Sequence, residues 1–198
     1  MLLGSLISVA CATGPRPTLV DTPVVEDPAI STVIESLEAA ESAEFTAEYR
    51  ITVNYGGLVT EASVSQEDGR RSVTIGEIRF IADEFGQRTC DIATGACQSG
   101  LDDTRISDIQ ITHQFWSRAM VNRLRTDADR NIAPARASQA TQAGEPAVCA
   151  VVPVAGGEKS YCALTAGPLS LYAGPDVLVE LITWRPTSDP ALFGAVGA

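Results

Sequence analysis

Apolar and polar residues alternate with a period of two between Phe45 and Ala82. Such alternation is typical of a β-strand with one buried face and one face in water. Three glycine-containing turn signals divide this stretch: Gly56-Gly57, Asp68-Gly69 and Gly76-Glu77. Short loops of this composition close β-hairpins. The pattern therefore predicts a four-stranded antiparallel meander with one continuous apolar face.

The three turns also predict which residues face each other across the meander. The predicted pairs are Tyr55–Leu58, Ile51–Ala62, Tyr49–Val64, Val64–Val73, Ala62–Ile75, Ile75–Ile78 and Val73–Phe80. A slip of one residue at any turn would move the apolar set to the other face, and all three turns keep it on the same side. An apolar sheet face needs cover from a second layer.

Two segments have helical spacing and are expected to supply that cover. Asp27-Pro28 is an N-cap followed by a proline at the first helical position, so a helix is predicted over residues 28–43. A polar loop is expected over residues 101–108, followed by a second helix over residues 109–130. One face of the second helix would carry His113, Trp116, Met120 and Leu124, with Phe115 and Ala119 beside them.

From about residue 137 the chain returns to strand patterns. Strands are predicted over residues 148–154, 160–164, 169–173 and 177–184, with a turn over residues 141–144, and Phe193 is expected to dock on the sheet edge. A hairpin centred on residues 155–158 sets Cys149 opposite Cys162, and another centred on residues 92–95 sets Cys90 opposite Cys97. Both pairs are predicted disulfides, and a loop of about 14 residues is worth about 3 kcal/mol in the chain-entropy model.

The start of the chain indicates a membrane anchor. Residues 1–10 are mostly apolar and end in Ser8-Val9-Ala10 before Cys11, which resembles the end of a bacterial lipoprotein signal peptide. No Lys or Arg precedes the apolar run and Ser8 stands where leucine is usual, so the signal peptide is expected to be truncated. Acylated Cys11 would hold the protein on the extracytoplasmic face of the cell membrane. The alternative is an apolar terminus with a buried thiol.

Three regions follow from this organisation. Residues 1–10 are predicted to be the signal peptide, residues 11–26 a proline-containing tether, and residues 27–198 one lipoprotein domain.

Composition and motifs exclude several classes of function. The net charge is −11 with an isoelectric point near 4.4, and no basic cluster occurs, so nucleic acid is not an expected partner. The single histidine, His113, lies on an apolar helix face and is interpreted as a core residue. No nucleophile motif, phosphate loop or dinucleotide motif is present. We expect neither an enzyme nor a cofactor.

A metal site is not expected either. The cysteines lack the C-x-x-C spacing of zinc sites. Asp102-Asp103 is interpreted as a solvated acidic loop, since no regularly spaced oxygen ligands accompany it in the manner of a calcium loop.

The order of these elements resembles the LolA/LolB-like half-barrel lipoproteins, most closely the branch typified by LprG and LppX. The stretches that carry the resemblance are Phe45–Phe80, the Cys90–Cys97 hairpin, the Trp116–Leu124 helix and Gly144–Cys162. It covers most of residues 28–193. It implies an α+β fold, in which a strongly curved antiparallel sheet packs an N-terminal and a central helix on its concave face.

The resemblance also implies a function, the binding of a lipid or another apolar ligand between sheet and helices. The implied ligand-binding residues are Tyr49, Ile51, Val53, Val64, Val73, Ile78 and Phe80 on the sheet and Phe115, Trp116 and Met120 on the helix. The plainer interpretation of the helix residues is core packing. The leading hypothesis is a membrane-anchored carrier of a hydrophobic ligand. The alternative is an envelope sensor module, similar to RseB, that docks on a protein partner without transferring a ligand.

Overall fold

A capping signal sets the start of the first α-helix. The structure is a computed structural model that describes residues 27–116 and 118–194, so the predicted signal peptide, the tether and Cys11 lie outside the described residues. Helix α1 is Pro28–Ala39, and the Asp27 carboxylate caps it by accepting a hydrogen bond from the Ala29 N–H at 3.0 Å. A 3₁₀ helix, Ala40–Ser42, extends it, close to the predicted end at residue 43. Helix α2 is Arg118–Asp129.

Eleven strands form one antiparallel sheet in the described part of the chain. They are β1 Phe45–Val53, β2 Val59–Glu67, β3 Arg70–Ile75, β4 Ile78–Asp83, β5 Gly86–Asp91, β6 Cys97–Ser99, β7 Arg136–Gln142, β8 Glu145–Val154, β9 Gly157–Leu164, β10 Leu169–Ala173 and β11 Val177–Arg185. The spatial order is β6-β5-β4-β3-β2-β1-β11-β10-β9-β8-β7. Two meanders therefore join where β1 pairs with β11, and the open, curved sheet is a half-barrel.

The predicted strand pairing is correct at two of the three turns. Val64 pairs with Val73, and Ile75 with Ile78, as the glycine turns predict. Between β1 and β2 the predicted register is wrong by two residues, since Tyr49 pairs with Ala62. The Val53 N–H donates to the Leu58 carbonyl at 2.8 Å, which leaves Tyr55 and Leu58 exposed in a longer loop. A shift of two residues keeps the same face buried, so the apolar face is unaffected.

Asn54 accounts for the longer loop. Its side-chain amide donates to the carbonyls of Gly174 and Pro175 at 3.1 and 2.9 Å, and its backbone N–H donates to the Asp176 carbonyl at 2.9 Å. These bonds tie the loop to the neighbouring β10–β11 turn, a contact that is distant in sequence and has no local signal.

Both helices cover the apolar face of the sheet. The core cluster combines residues of α1 and α2, such as Val33 and Leu124, with alternate residues of the strands, such as Ile51 and Val179. Helix α1 packs against α2 and against β7, β8 and β9. The α+β half-barrel with helices on its apolar face, predicted from the order of elements, is the observed fold.

The segment before α2 differs from the prediction. Residues 103–109 form a 3₁₀ helix in place of the expected loop, and the stretch from residue 110 to 116 is not helical. Gln110 adopts φ +64°, which ends the 3₁₀ helix and is incompatible with a continuous α-helix. Asp103 then accepts a hydrogen bond from the His113 N–H at 2.8 Å and holds the turn in place.

Both predicted disulfides are present. Cys90 faces Cys97 across β5 and β6, and Cys149 faces Cys162 across β8 and β9. The β8–β9 hairpin turns over residues 155–156, two residues fewer than the predicted loop over residues 155–158. Both cysteine pairs lie directly opposite each other, so the sulfurs lie within bonding reach.

The end of the described chain lies across the face of the sheet opposite the helices. Residues 187–194, here called the C-terminal strap, include Phe193, which is 3% exposed and lies 4.4 Å from the guanidinium carbon of Arg70. Side-chain hydroxyls of three successive strands bond to the strap: Thr46 donates to the Thr187 carbonyl, Ser65 accepts from the Asp189 N–H, and Ser72 donates to the Leu192 carbonyl. Phe193 therefore docks on the outer face of the sheet at β3, and its predicted position at the sheet edge is wrong.

Within residues 27–116 and 118–194, no helix combines the length and the apolar character needed to cross a bilayer.

Candidate functional site

The ten predicted ligand-binding residues come together on the helix-covered side of the sheet. Each is at most 5% exposed. Nine belong to the continuous core cluster, and Val53 is buried outside it. The structure therefore brings the predicted wall together, and the wall is in contact with the chain's own helices. Their role in binding a ligand stays a prediction.

Aromatic rings form a chain through this cluster. Tyr49 lies 5.3 Å from Trp116, Trp116 5.4 Å from Phe115, and Phe115 5.6 Å from Tyr172, measured between ring centroids. Tyr172 continues to Tyr161 at 5.1 Å. Such tilted and edge-on pairs are favourable beyond the area they bury. Sequence reasoning missed Tyr161 and Tyr172, although each sits on an inward strand position.

The Tyr49 hydroxyl and the indole N–H of Trp116 are buried in the cluster. The Tyr49 hydroxyl donates to the Leu169 carbonyl at 2.9 Å, and burial raises the pKa of Tyr49 well above its usual range, so it stays neutral. The indole Nε1 of Trp116 has no hydrogen-bond partner in the described part of the chain. A buried unpaired N–H is costly, so Trp116 carries a polar group that a bound acceptor would satisfy.

Gln66 and Arg71 close one end of the cluster. The Gln66 amide donates to the carbonyls at the end of α1, those of Ala40 at 2.8 Å, Glu41 at 2.8 Å and Ala43 at 3.0 Å. Arg71 donates to the Gln66 side-chain oxygen at 2.6 Å and to the Trp116 carbonyl at 3.2 Å. Burial lowers the pKa of the Arg71 guanidinium.

A charged group lies at the other end, around Asp127. Lys159, the only lysine of the chain, donates to both carboxylate oxygens of Asp127 at 2.8 and 2.9 Å, and the Tyr161 hydroxyl donates to one of them. Burial, and secondly this bond, raise the pKa of Tyr161. Arg123 donates to the Tyr172 hydroxyl at 3.0 Å and lies over the rings of Tyr172 and Phe115. Each of these charged side chains contacts an opposite charge, a hydroxyl group or an aromatic ring, which indicates that the cluster stabilises the fold.

His113 is held in place by contacts with Asp103 and Phe80. Its Nδ1 lies 2.8 Å from Asp103 Oδ2, and its ring stacks on Phe80 with centroids 5.3 Å apart. Asp102 accepts a hydrogen bond from the Thr104 N–H and caps the 3₁₀ helix. Among the described residues, no three His, Cys, Asp or Glu side chains come close enough to hold a metal ion.

Hollows also open on surfaces away from the aromatic chain. One of about 350 Å³ lies on the strap side of the sheet between Glu48, Arg50 and Glu61. Another of about 460 Å³ lies beside Asp127 and Lys159, below the β8–β9 turn. Both are lined by charges of both signs.

Solved structures with a similar fold include MucB in complex with MucA(peri). That chain superposes with a TM-score of 0.51 at 14% sequence identity, over 82% of this chain and 57% of MucB. The complex structure of Pseudomonas aeruginosa MucA/MucB gives a TM-score of 0.49 at 13% identity, over 84% of this chain and 60% of the other. This chain therefore spans somewhat more than half the length of these proteins.

The likeness to MucB establishes the fold. The α+β half-barrel fold implied by the sequence resemblance is therefore confirmed. Membership of the LolA/LolB-like family, and of its LprG/LppX branch, stays a prediction. No protein-family model matches the chain, and no curated protein sequence matches it.

Proposed function

We propose that this chain is a non-catalytic docking module of the bacterial cell envelope, which binds a partner protein through its outer surfaces. The observation that carries the proposal is the occupancy of the apolar face. Residues predicted to line a lipid groove, such as Tyr49, Trp116 and Met120, are at most 4% exposed and contact each other or the chain's own helices. Because the chain itself fills the groove, a partner protein would bind at the edges or on the outer face of the sheet.

The solved structures support the same function by analogy. MucB is described in complex with MucA, so one protein of this fold binds a protein partner. Fold alone does not transfer function, and the proposal therefore rests first on the packing of this chain and only second on the analogy.

We further propose that Cys11 is acylated and that the module is anchored on the extracytoplasmic side of the membrane. The lipobox-like Ser8-Val9-Ala10-Cys11 sequence and the two disulfides support this location, since disulfides persist mainly outside the cytoplasm. The full chain with Cys11→Ser should move from the membrane fraction to the soluble fraction. A variant that stays on the membrane would contradict the anchor.

The docking function is tested by cross-linking the full, acylated chain in intact cells, followed by mild extraction and native mass spectrometry. One protein bound at a fixed stoichiometry, with no lipid in the complex beyond the anchor, is the expected result. A non-covalent lipid bound at one copy per chain, with no protein partner, would contradict the proposal.

That contrary outcome defines a second candidate, a carrier of an apolar ligand. The unpaired Nε1 of Trp116 favours it, because a ligand with a hydrogen-bond acceptor would satisfy this atom. Entry of a ligand would require the helices to move from the sheet. Trp116→Phe, which removes the N–H and the second ring of the indole, should then weaken lipid retention.

A further inference from the structure

The two edges of the sheet are built differently. One edge is β6, Cys97–Ser99, a strand of three residues that the Cys90–Cys97 disulfide fixes to its neighbour. The other is β7, Arg136–Gln142, with seven residues, and within residues 27–116 and 118–194 no strand pairs with its outer side. A short, cross-linked edge does not accept another strand well, whereas a long free edge does.

Strand β7 lacks the features that normally protect an edge. It contains no proline, lysine or acidic residue, and its pairing with β8 has no bulge. Its single charge, Arg136, is paired with Glu158 at 2.7 Å. Natural sheets use charges, prolines and bulges to prevent edge-to-edge pairing. An edge without them is suited to pairing.

The backbone groups that point outward can be assigned. The Pro146 carbonyl accepts a hydrogen bond from the Thr165 N–H on the far side of β8, so the backbone of Pro146 points away from β7. Its partner Thr141 is therefore a non-bonded position of the β7–β8 ladder, and its N–H and C=O point outward. Since directions alternate along a strand, the same holds for Gln139 and Ala137.

Hollows flank the free edge. One of about 370 Å³ lies between the first turn of α1, at Pro28 and Thr32, and residues 137–139 of β7. Another of about 430 Å³ lies along residues 139–141, next to Pro146 and Thr165. No charged residue lines either hollow, in a protein that is 20% charged. Alternate side chains of an added strand would enter such hollows, so the site favours uncharged side chains.

We infer that the outer edge of β7 is a strand-addition site for an extended, uncharged segment of a partner protein. The segment would run antiparallel to β7, bond to Ala137, Gln139 and Thr141, and place small apolar side chains in the flanking hollows. This inference rests on the proposed docking function and names its surface. An uncharged lining disfavours phosphate-bearing or carboxylate-bearing ligands, and the row of backbone donors and acceptors matches a peptide.

The test uses the full, oxidised chain carrying Cys11→Ser and a phage library of random ten-residue peptides. An enriched peptide is made with a fluorescent label, and its binding is measured by anisotropy. Gln139→Pro removes one outward N–H and no β7–β8 hydrogen bond, and we expect it to weaken binding by at least about tenfold. Gln139→Ala is the matched control, because it keeps the N–H, and it should stay within about threefold of the unsubstituted protein.

Amide exchange measured by NMR provides a readout that does not depend on the proline variant folding. Bound peptide should slow exchange at Ala137, Gln139 and Thr141 and leave Ser138 and Ala140, already bonded to β8, nearly unchanged. Failure to enrich a peptide, or peptides that bind both position-139 variants equally and protect none of the three amides, would overturn the inference. A concentration-dependent dimer that Gln139→Pro abolishes would also overturn it, by showing that a second copy occupies the edge.

The result is separable from that of the docking function. If cross-linking in cells captures one protein at a fixed stoichiometry, and that protein also binds the Gln139→Pro variant, the result would support the docking function and exclude the β7 site. If peptides bind β7 as described and no protein is captured in cells, the edge is a strand-binding site but the docking function falls.

Discussion

Position 174 requires glycine because the Tyr172 side chain lies against its backbone and leaves no room for a Cβ atom. A Cβ on Gly174 would overlap the Tyr172 hydroxyl and lie 2.8 Å from Cζ. Gly174→Ala should therefore displace the ring from Arg123 and destabilise the protein by about 1–3 kcal/mol, measured by urea denaturation. In a Tyr172→Phe background the same substitution should cost less, since the nearest atom is gone. Equal costs in both backgrounds would contradict this steric account.

Gln66 is the residue on which the end of α1 depends. Its amide donates to three carbonyls and its oxygen accepts from Arg71, so Gln66→Leu removes four hydrogen bonds at a buried position. We expect a loss of about 2–4 kcal/mol in the free energy of unfolding. Gln66→Glu is the control: it keeps the acceptor for Arg71 and loses the donors, so a loss nearly as large would show that the carbonyl contacts dominate.

Between elements, Asp91 on β5 links to Arg105 of the 3₁₀ helix over residues 103–109. The hydrogen bond from Arg105 is the main cause that lowers the pKa of Asp91 to about 2. A folded-state pKa below the unfolded value means that the ionised carboxylate stabilises the fold above about pH 4, and that this contribution is lost as the pH falls towards 2.

Asp91→Asn should thus lower the urea midpoint at pH 6, and its difference from the unsubstituted protein should vanish near pH 2. Arg105→Gln, which removes the partner, should behave in the same way. A difference that is as large at pH 2 as at pH 6 would exclude the ionic contribution of Asp91.

Local signals predicted most elements and failed at the start of α2. The apolar spacing over residues 109–130 continues through Phe115 and Trp116, yet α2 begins at Arg118. The earlier part is held by the contact of Asp103 with His113, and by Arg71, which donates to the Trp116 carbonyl. These partners satisfy the backbone without a helix, and a periodicity argument does not include them.

At the scale of the whole molecule, the C-terminal strap joins the last residues described to strands β1, β2 and β3. Phe193→Ala should destabilise the protein by about 3 kcal/mol, because the ring is buried against Arg70. Chemical denaturation measures the loss, and amide exchange should speed up in β3 and β4. Leu192→Ala, at a half-buried position, is the control and should cost much less. Equal losses would show that Phe193 is not the anchor of the strap.

The helices decide what the whole molecule presents to a partner. The apolar side of the half-barrel is covered by the chain's own helices. Under the proposed docking function, a partner would therefore bind to surfaces such as the β7 edge. Sequence alone predicted the candidate wall but not its occupancy, because the same apolar residues line a groove or fill a core. The difference depends on how closely the helices approach the sheet.

The sequence by itself determined the period-two strands, two of the three glycine turns, the cap of α1, both cysteine pairs and hence the face of the sheet that is buried. Each of these follows from interactions between residues close in the chain. Tertiary structure alone decided the pairing of β1 with β11, the Asn54 contacts that lengthen the first loop, the start of α2 and the free edge of β7. Those features depend on residues more than 40 positions apart or on which strand lies last in the sheet, and local patterns carry no information about such contacts.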